Sequence, residues 1–242
     1  MKNKIIDNIK TLFYALIIAL IIRSFIIQPF YIPSSSMEPN LLVGDRLFVT
    51  KYSYGYSKHS LPFSPSVTNK RIFKKRPIVG DVIVFKTPAD NRTDYIKRLM
   101  AGPGDTLQFI NGSLFINNKK IDRKPININK HIYCGDEILD VVAYEETLEN
   151  GNKYVAVYKK KGTLQNTDLF IVPDSHYFFL GDNRDCAKDS RFLGSVGYVN
   201  INNLVGKAKV IFFSNNKKKG SFIQFWKWKE SIRLNRFFKQ IK

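Results

Sequence analysis

One apolar stretch near the N-terminus constrains this chain more than any other feature. From Thr11 to Gln28 there are 18 residues with a single charge, at Arg23. A helix of that length spans roughly 27 Å, close to a hydrocarbon core of about 30 Å, and the Arg23 side chain can extend to the membrane surface. Pro29 cannot continue the helix because it lacks the backbone N–H. The sequence therefore predicts a transmembrane anchor over residues 11–28.

The charges around this stretch predict its orientation. Three lysines precede it: Lys2, Lys4 and Lys10. The first basic residue well beyond the stretch is Arg46, so the positive-inside rule keeps residues 1–10 in the cytoplasm and exports the rest. A cleavable signal peptide with Leu12–Ile22 as its apolar region is the alternative. Because no small-x-small cleavage site follows, we expect an uncleaved anchor.

After the anchor, the pattern is that of short β-strands separated by turns. Seven runs of β-branched or aromatic residues begin at Leu47, Asp81, Thr106, Ser113, Lys153, Tyr177 and Ala208. Residues 40–210 show no long segment with helical periodicity, which favours an antiparallel β domain over residues 29–216. Within that domain, residues 115–172 predict an inserted β lobe. Residues 55–78, rich in Ser, Pro and Lys/Arg, predict an exposed excursion.

The basic charge is concentrated at the two ends of the chain. The net charge is +19, and residues 207–242 alone hold eleven Lys/Arg and one acidic residue. The middle of the chain is only mildly basic, so we expect no nucleic-acid partner for the exported domain. Residues 217–242 mix basic and aromatic side chains, which predicts an interfacial helix on membrane lipid. A solvated tail is the alternative.

The two cysteines, Cys134 and Cys186, are too few for a disulfide scaffold or a four-ligand zinc site. The sequence does not exclude a disulfide between these two cysteines, but we expect free thiols. The acidic loop after Gly181 lacks the regular alternation and the closing Glu of a Ca²⁺ site. The sequence therefore predicts no metal ion and no cofactor.

Three serines follow the anchor, and bulky residues after them argue against a flexible linker: Ser34, Ser35 and Ser36, then Met37, Pro39 and Leu41. A nucleophilic serine needs a base within hydrogen-bond reach. The three histidines are weak candidates, because His59 and His131 lie in polar stretches where solvation is expected and His176 is typical of a turn.

Lys97 is the better candidate for the base. If its segment is a strand, Tyr95, Lys97 and Leu99 share one face. A lysine between two bulky side chains is desolvated, which lowers its pKa and makes a neutral amine available. A dense polar loop, Gly181–Val196, follows an apolar strand and suits a network that orients other groups, with Asp189 and Arg191 paired across a turn.

Together, these blocks resemble the type I signal peptidases, or leader peptidases, of bacterial membranes. The serine box of that family is matched by Ile32–Leu41 and its lysine box by Tyr95–Asp105. Its connecting box is matched by Gly80–Phe85 and its last box by Gly181–Arg191. The order, the spacing and the anchor also agree. The resemblance covers a little under half of the chain, in three parts: residues 12–54, 79–109 and 172–213.

This resemblance implies a membrane-anchored serine endopeptidase that removes signal peptides from exported preproteins. It implies Ser36 as nucleophile and Lys97 as general base, with the Ser36 N–H and the Ser34 hydroxyl as the oxyanion hole. Four residues match the walls of the substrate pockets: Ile32, Met37, Tyr95 and Ile96. The matching polar network consists of Asp182 paired with Arg98, together with Asp189, Ser190 and Arg191. The implied fold is a mostly antiparallel β domain on the outer, periplasmic face of the inner membrane.

One position departs from the family pattern and keeps alternatives open. Cys186-Ala187 stands where the family usually has Asn-Ser, and that serine hydrogen-bonds the lysine. An inactive, membrane-tethered β module that binds preproteins is therefore one alternative. The other is a self-cleaving Ser/Lys repressor, which would need a soluble helix-turn-helix domain where this chain has its apolar stretch.

Overall fold

The structure is a computed structural model, and it describes residues 2–61, 64–65, 70–220 and 223–242. Its first element is an α-helix, α1 (Lys2–Ile21), which continues through one π-helical segment, Ile22–Ile26. The 23 residues Lys4–Ile26 are long and apolar enough to cross a membrane. None of their most apolar part is buried against the rest of the protein, as expected for a helix that faces lipid.

The helical segment ends at Ile26, before the predicted limit at Gln28. Residues Ile27–Tyr31 form strand β1, which pairs with β2 (Asp45–Thr50) in antiparallel register. Pro29 therefore lies within a strand instead of directly after the helix. β1 is an edge strand, where the missing N–H of a proline is tolerated. Ile27 and Gln28 already pair with β2, so the helix ends two residues before the position that the sequence predicts.

The rest of the described chain is mainly strands. In the first half they are β3 (Val82–Lys86), β4 (Asp94–Ala101), β5 (Thr106–Ile110), β6 (Ser113–Ile116), β7 (Lys119–Lys120) and β8 (Asp122–Ile126). They continue with β9 (Ile132–Cys134), β10 (Glu137–Leu139), β11 (Val141–Thr147), β12 (Lys153–Lys159), β13 (Phe170–Ile171), β14 (His176–Leu180), β15 (Val199–Asn200), β16 (Leu204–Ser214) and β17 (Lys239–Gln240). Each of the seven predicted runs overlaps a strand. Positive φ angles at Asn111 and Gly112 form the tight turn between β5 and β6.

The largest sheet has the strand order β1-β2-β16-β3-β4-β14-β15, and β17 adds to β16. Three smaller sheets have the orders β13-β5-β6-β7, β12-β11-β8 and β10-β9. All of these pairings are antiparallel. The structure thus confirms a mainly antiparallel β protein with one N-terminal apolar helix.

Strand β4 is covered on both faces, which decides the environment of Lys97. Its neighbouring residues Leu99 and Met100 point to opposite faces, and each belongs to a different apolar cluster. β4 also lies between β3 and β14 in the sheet. Lys97 and the four residues that follow it on β4 are therefore buried.

The segment 217–242 is not the single interfacial helix that the sequence predicts, although Phe222 lies outside the described residues. Its α-helix, α2 (Trp228–Ser231), has only four residues. Beyond α2 the chain returns to the domain, where β17 pairs with β16. Arg236 is buried and its Nη2 lies 2.5 Å from the Oδ2 of Asp45. These backbone and ion-pair contacts outweigh continued helix formation.

The excursion over residues 55–78 is also less exposed than predicted, although residues 62–63 and 66–69 lie outside the described part. His59 and Ser60 are buried. The Nδ1 of His59 lies 3.0 Å from the Oγ of Ser64, and burial lowers the pKa of His59 to about 4. The expectation that His59 is solvated is wrong, because this segment folds back against the sheet.

Candidate active site

Ser36 lies in the loop of residues 32–44 that connects β1 to β2. The Ile32 N–H donates to the Asp45 carbonyl and the Gly44 N–H donates to the Ile32 carbonyl, both at 2.9 Å, so the base of the loop is closed. Met37 and Leu41 are buried in the apolar cluster beneath β2. The bulky residues that follow the serines therefore anchor the loop in the core, and Ser36 itself is only 7% exposed.

Lys97 comes from strand β4 and reaches this serine. Its Nζ lies 2.7 Å from the Oγ of Ser36 and 3.0 Å from the carbonyl oxygen of Ile96. The residue is 3% exposed, and its Nζ lies 5.2 Å from the centre of the Tyr95 ring. The structure thus brings together the two residues that the sequence predicts as nucleophile and base.

The environment of Lys97 favours the neutral amine. Burial lowers the pKa of Lys97 from 10.5 to about 8, although the negative charges of Asp189 and Asp182 act in the opposite direction. Both carboxylates are engaged by arginines, as described below. A lysine with this pKa is partly neutral near pH 8, whereas an exposed lysine is almost entirely charged there.

Ser34 lies next to the same hydroxyl. Its Oγ is 3.4 Å from the Oγ of Ser36, in a partly buried position. A hydroxyl donor at this distance from a nucleophile is placed to reach an oxygen atom bonded to the attacked carbon.

Asp182 binds two of the segments that form the site. Its carboxylate accepts hydrogen bonds from Arg98 Nε and Nη2, both at 2.8 Å, so the predicted Arg98–Asp182 pair is present in the structure. Asp182 Oδ2 also accepts from Asn40 Nδ2 at 2.7 Å. Arg98 follows the lysine on β4, and Asn40 lies in the serine loop. A single carboxylate therefore fixes the strand of Lys97 relative to the loop of Ser36.

The remaining residues of the predicted network lie in the same loop after β14. Arg191 Nε is 2.8 Å from Asp189 Oδ1, and Asp189 Oδ2 accepts from the backbone N–H of Gly181 at 3.0 Å. Ser190 is fully buried, and its Oγ accepts from the backbone N–H of Phe179 at 2.9 Å. Ser190 therefore holds the loop against β14 through its hydroxyl oxygen, which acts as the acceptor.

A close backbone approach joins this loop to the serine. A Cβ on Gly181 would come within 2.2 Å of the Ala187 Cβ and within 2.6 Å of the Ser36 carbonyl oxygen, so this position requires glycine. That carbonyl accepts from the backbone N–H of Asn183 at 3.1 Å. The Asn183 side chain also donates to the Ser35 carbonyl at 3.2 Å. Ala187 thus packs against Gly181, close to the serine loop, and has no polar atom to offer Lys97.

Cys134 and Cys186 form a disulfide, so the expectation of free thiols is wrong. The bond connects β9 to the loop after β14, and 52 positions separate the two residues in the sequence. Ser35 lies against it, with its Oγ 3.7 Å from the Cys186 Sγ. Antiparallel pairing folds the inserted segment back beside the serine loop, which brings the two cysteines into contact. Their spacing alone gives no sign of this.

The four predicted pocket residues divide into two pairs. Ile32 and Met37 are buried in the core, whereas Tyr95 and Ile96 are half-buried on β4. An open cleft of about 840 Å³ runs beside Ser34, Ser35 and Ser36 without reaching any of these four residues. Basic side chains line its far side: Lys130, Lys217, Lys218, Lys219 and Arg233.

Sequence reasoning missed several residues that hold the site together. Asn40 lies within the serine box and Asn183 within the last box. Their place in these two family motifs was the only sequence feature that could have pointed to them. Glu146 lies in the predicted lobe, where nothing in the sequence marks it. It forms a buried ion pair with Arg184, with Oε2 2.6 Å from Nη2, and accepts hydrogen bonds from Tyr154 and Tyr158.

Known proteins match this chain over most of its length. The family described as "Signal peptidase, peptidase S26" matches residues 5–213. A signal peptidase I of Rickettsia typhi is 38% identical, over 94% of this chain and 90% of the relative. A signal peptidase I of Rickettsia bellii is 39% identical, over 96% of this chain and 84% of the relative. A crystal structure of a signal peptidase I from Enterococcus faecalis is 26% identical, covers 55% of this chain and 97% of that chain, and gives a TM-score of 0.33.

Together with the fold and the site, these matches define the class of the protein, which is a serine peptidase built on antiparallel β-sheets. The chain belongs to the signal peptidase I family, peptidase S26. This result confirms the family that the serine, lysine, connecting and last boxes indicate.

The disulfide yields a prediction about stability. The Cys134→Ala/Cys186→Ala double variant should lower the free energy of unfolding by about 2–4 kcal/mol, because the bond restricts the unfolded chain. Denaturant unfolding of the full chain in detergent measures this, and the wild-type protein in reductant should behave like the double variant. Mass spectrometry after alkylation of the unreduced protein provides the check, since two modified cysteines would contradict the bond.

Proposed function

We propose that this protein is a membrane-anchored endopeptidase that removes signal peptides from exported preproteins, with Ser36 as nucleophile and Lys97 as general base. The distance of 2.7 Å between Lys97 Nζ and Ser36 Oγ is the observation on which this proposal depends most. The burial of Lys97 supports it, because a base must be neutral before it can accept a proton. The family membership supports the substrate class.

In the proposed mechanism, the neutral amine of Lys97 takes the proton of the Ser36 hydroxyl while Oγ attacks the scissile carbonyl carbon. The resulting ammonium group then donates that proton to the leaving amine of the mature protein. A water molecule next attacks the acyl group, with Lys97 again taking the proton. As the acyl–Oγ bond breaks, the Lys97 ammonium returns this water proton to Ser36 Oγ, which restores the hydroxyl and the neutral amine.

The negative charge on the carbonyl oxygen needs donors in the transition state. We assign this role to the Ser36 backbone N–H and the Ser34 hydroxyl, whose Oγ is 3.4 Å from the Ser36 Oγ. Donors fixed at such a site contribute because they do not have to reorganise when the charge appears. The bond from Asn183 N–H to the Ser36 carbonyl and the two bonds from Asn183 Nδ2, to Ser35 and Tyr133, support a fixed loop geometry.

We propose Ile32, Met37, Tyr95 and Ile96 as the residues that select the substrate side chains. Ile32 and Met37 are almost completely buried and the open cleft beside the serines reaches none of the four residues, so we propose shallow apolar subsites here instead of a deep pocket. Such subsites favour small residues, above all Ala, at the first and third positions before the cleaved bond. The polar residues Arg98, Asp182, Asp189, Ser190 and Arg191 would keep the strand and the loops in position.

The proposed arrangement places residues 1–10 in the cytoplasm and the domain of residues 29–216 on the periplasmic face of the inner membrane. The apolar helix Lys4–Ile26 leads directly into β1, and the serine loop follows β1. The Cys134–Cys186 disulfide supports the exported location, because disulfides persist in oxidising compartments. A site held close to the membrane would meet substrates whose apolar segments still lie in the bilayer.

The assignment of nucleophile and base is tested by Ser36→Ala, Lys97→Ala and the double variant. Each single change should lower kcat/KM on a preprotein by about 10³-fold or more, and the double variant should be little worse, because the two groups act as a unit. Lys124→Ala, at an exposed position of β8, is the matched control. Turnover by Lys97→Ala near the wild-type rate would contradict the assignment, and an inactive wild-type protein would favour the binding module.

The pH dependence gives a separate prediction. Because the neutral form of Lys97 acts as base, kcat/KM should rise with pH and level off above an apparent pKa of about 8. The measurement is a pH profile of preprotein cleavage by the full chain in detergent. A rate that keeps rising to the ordinary lysine pKa of about 10.4 would contradict the desolvated base.

The alanine at position 187 gives a third prediction. Ala187→Ser should raise kcat/KM about three- to ten-fold, because one added hydrogen bond to Lys97 contributes about 1 kcal/mol. In the wild-type protein, Lys97 Nζ donates to the Ile96 carbonyl in addition to Ser36 Oγ. Ala89→Ser, in an exposed turn, is the control and should leave kcat/KM unchanged. A clear loss of activity would show that the Ile96 carbonyl already orients the amine correctly.

A further inference from the structure

A second cavity lies where the apolar helix meets the β domain, away from Ser36. It has a volume of about 270 Å³, and we call it the junction pocket. Its charged and titratable lining residues are Arg23, Lys51, His59, Lys86, Arg92 and Asp94. Neither the proposed mechanism nor the proposed substrate binding uses any of them.

The junction pocket is built on fixed contacts. The Lys51 N–H donates to the Ile26 carbonyl at 3.1 Å, and the Tyr56 hydroxyl donates to the Phe25 carbonyl at 3.0 Å. The rings of Phe25 and Tyr56 also touch, with their centres 5.5 Å apart. These contacts tie the end of the helix to the domain. Arg23 on the helix and Lys51 on the domain therefore face one cavity.

The pocket contains more positive than negative charge. Among the described residues, four cationic side chains and one carboxylate, that of Asp94, line it, and that carboxylate already pairs with Lys86 at 2.9 Å. Lys51 is 3% exposed, and its Nζ donates to the Ser60 carbonyl at 2.6 Å. Like charges around one cavity repel each other, so an anion in it would be stabilised by the buried Lys51 and by the more exposed Arg23 and Arg92 at once.

The electrostatics of individual side chains agree with this excess. Burial and the neighbouring charge of Arg23 lower the pKa of Lys51 to about 8. Burial and the charges of Lys58, Lys86 and Arg71 lower the pKa of His59. Burial is the largest cause for both groups, and for Lys51 the negative charge of Asp94 acts in the opposite direction.

The position of the pocket along the helix points to the source of an anion. Arg23 lies three residues before the end of the segment Lys4–Ile26, which spans the length of a hydrocarbon core. A basic side chain at the end of a membrane helix lies at the level of the lipid headgroups. We propose that the junction pocket binds the phosphate of an anionic phospholipid headgroup, held by Arg23, Lys51 and Arg92.

Lipid binding at this pocket is tested by unfolding of the full chain in mixed micelles. Phosphatidylglycerol should raise the Tm of the wild-type protein more than phosphatidylcholine does, since only the former carries a net negative charge. Each cation removed should weaken apparent phosphatidylglycerol affinity about five-fold. The Arg23→Gln/Arg92→Gln variant should therefore lose most of the preference. This double variant changes only exposed side chains. Lys51→Met replaces a buried side chain and tests whether the innermost cation of the pocket also binds the lipid.

The matched control removes the same charge from the aromatic segment near α2. Lys227→Gln/Lys229→Gln should keep the preference for phosphatidylglycerol. An equal loss in this control, or an unchanged preference in Arg23→Gln/Arg92→Gln, would overturn the proposal. Ser36→Ala should bind the lipid like the wild-type protein, so the result is independent of the proposed catalytic function.

Inorganic phosphate distinguishes the two sources of the anion. In neutral detergent, phosphate is compared with chloride at equal ionic strength, and we expect no difference in Tm. An increase as large as that produced by phosphatidylglycerol, abolished in Arg23→Gln/Arg92→Gln, would show that free phosphate is the ligand and would overturn the assignment to lipid.

Discussion

The buried carboxylate of Asp182 joins the three chain segments from which the site is built. It belongs to the loop after β14, accepts two hydrogen bonds from Arg98 on β4, and accepts a third from Asn40 in the serine loop. Removing any of these partners would leave a charge or a polar group unpaired in a dry environment, which costs several kcal/mol. The relative positions of Ser36 and Lys97 therefore follow from the hydrogen bonds of one carboxylate.

The same arrangement explains how the pKa of a lysine stays below its ordinary value beside two aspartates, as the proposed role of Lys97 as base requires. Asp182 is bound by Arg98, and Asp189 is bound by Arg191. Because each carboxylate is neutralised by its own arginine, the ammonium form of Lys97 gains little from them, and desolvation dominates its pKa. A second buried pair, Glu146 with Arg184, and the disulfide at Cys186 hold the loop that carries these aspartates. These ion pairs thus leave Lys97 without a carboxylate partner of its own.

Much of this architecture could be predicted from sequence, since its signals are local. Short runs of β-branched or aromatic residues between turns marked the strands, and a long apolar stretch marked the helix. The face shared by Tyr95, Lys97 and Leu99 indicated a desolvated lysine. Two tertiary contacts, Ser36 with Lys97 and Arg98 with Asp182, could be expected only from the resemblance to signal peptidases. Other features that depend on tertiary contacts could not be predicted. Cys134 and Cys186 meet only after the inserted segment packs beside the serine loop, and His59 becomes buried only when its segment folds back on the sheet. The strand pairing of residues 239–240 likewise depends on β16, which is distant in sequence from the aromatic pattern that suggested a helix.

The contact between Arg236 and Asp45 joins residues that are 191 positions apart in the chain. Arg236 Nη2 also donates to the Asn40 carbonyl at 2.8 Å, so it holds the far side of the loop that carries Ser36. A ribosome releases this loop early and adds Arg236 much later, so the loop stays without that contact while most of the protein is being made. In the proposed membrane arrangement, the apolar helix emerges first and enters the bilayer during this interval. The order of synthesis therefore separates insertion of the helix from completion of the serine loop.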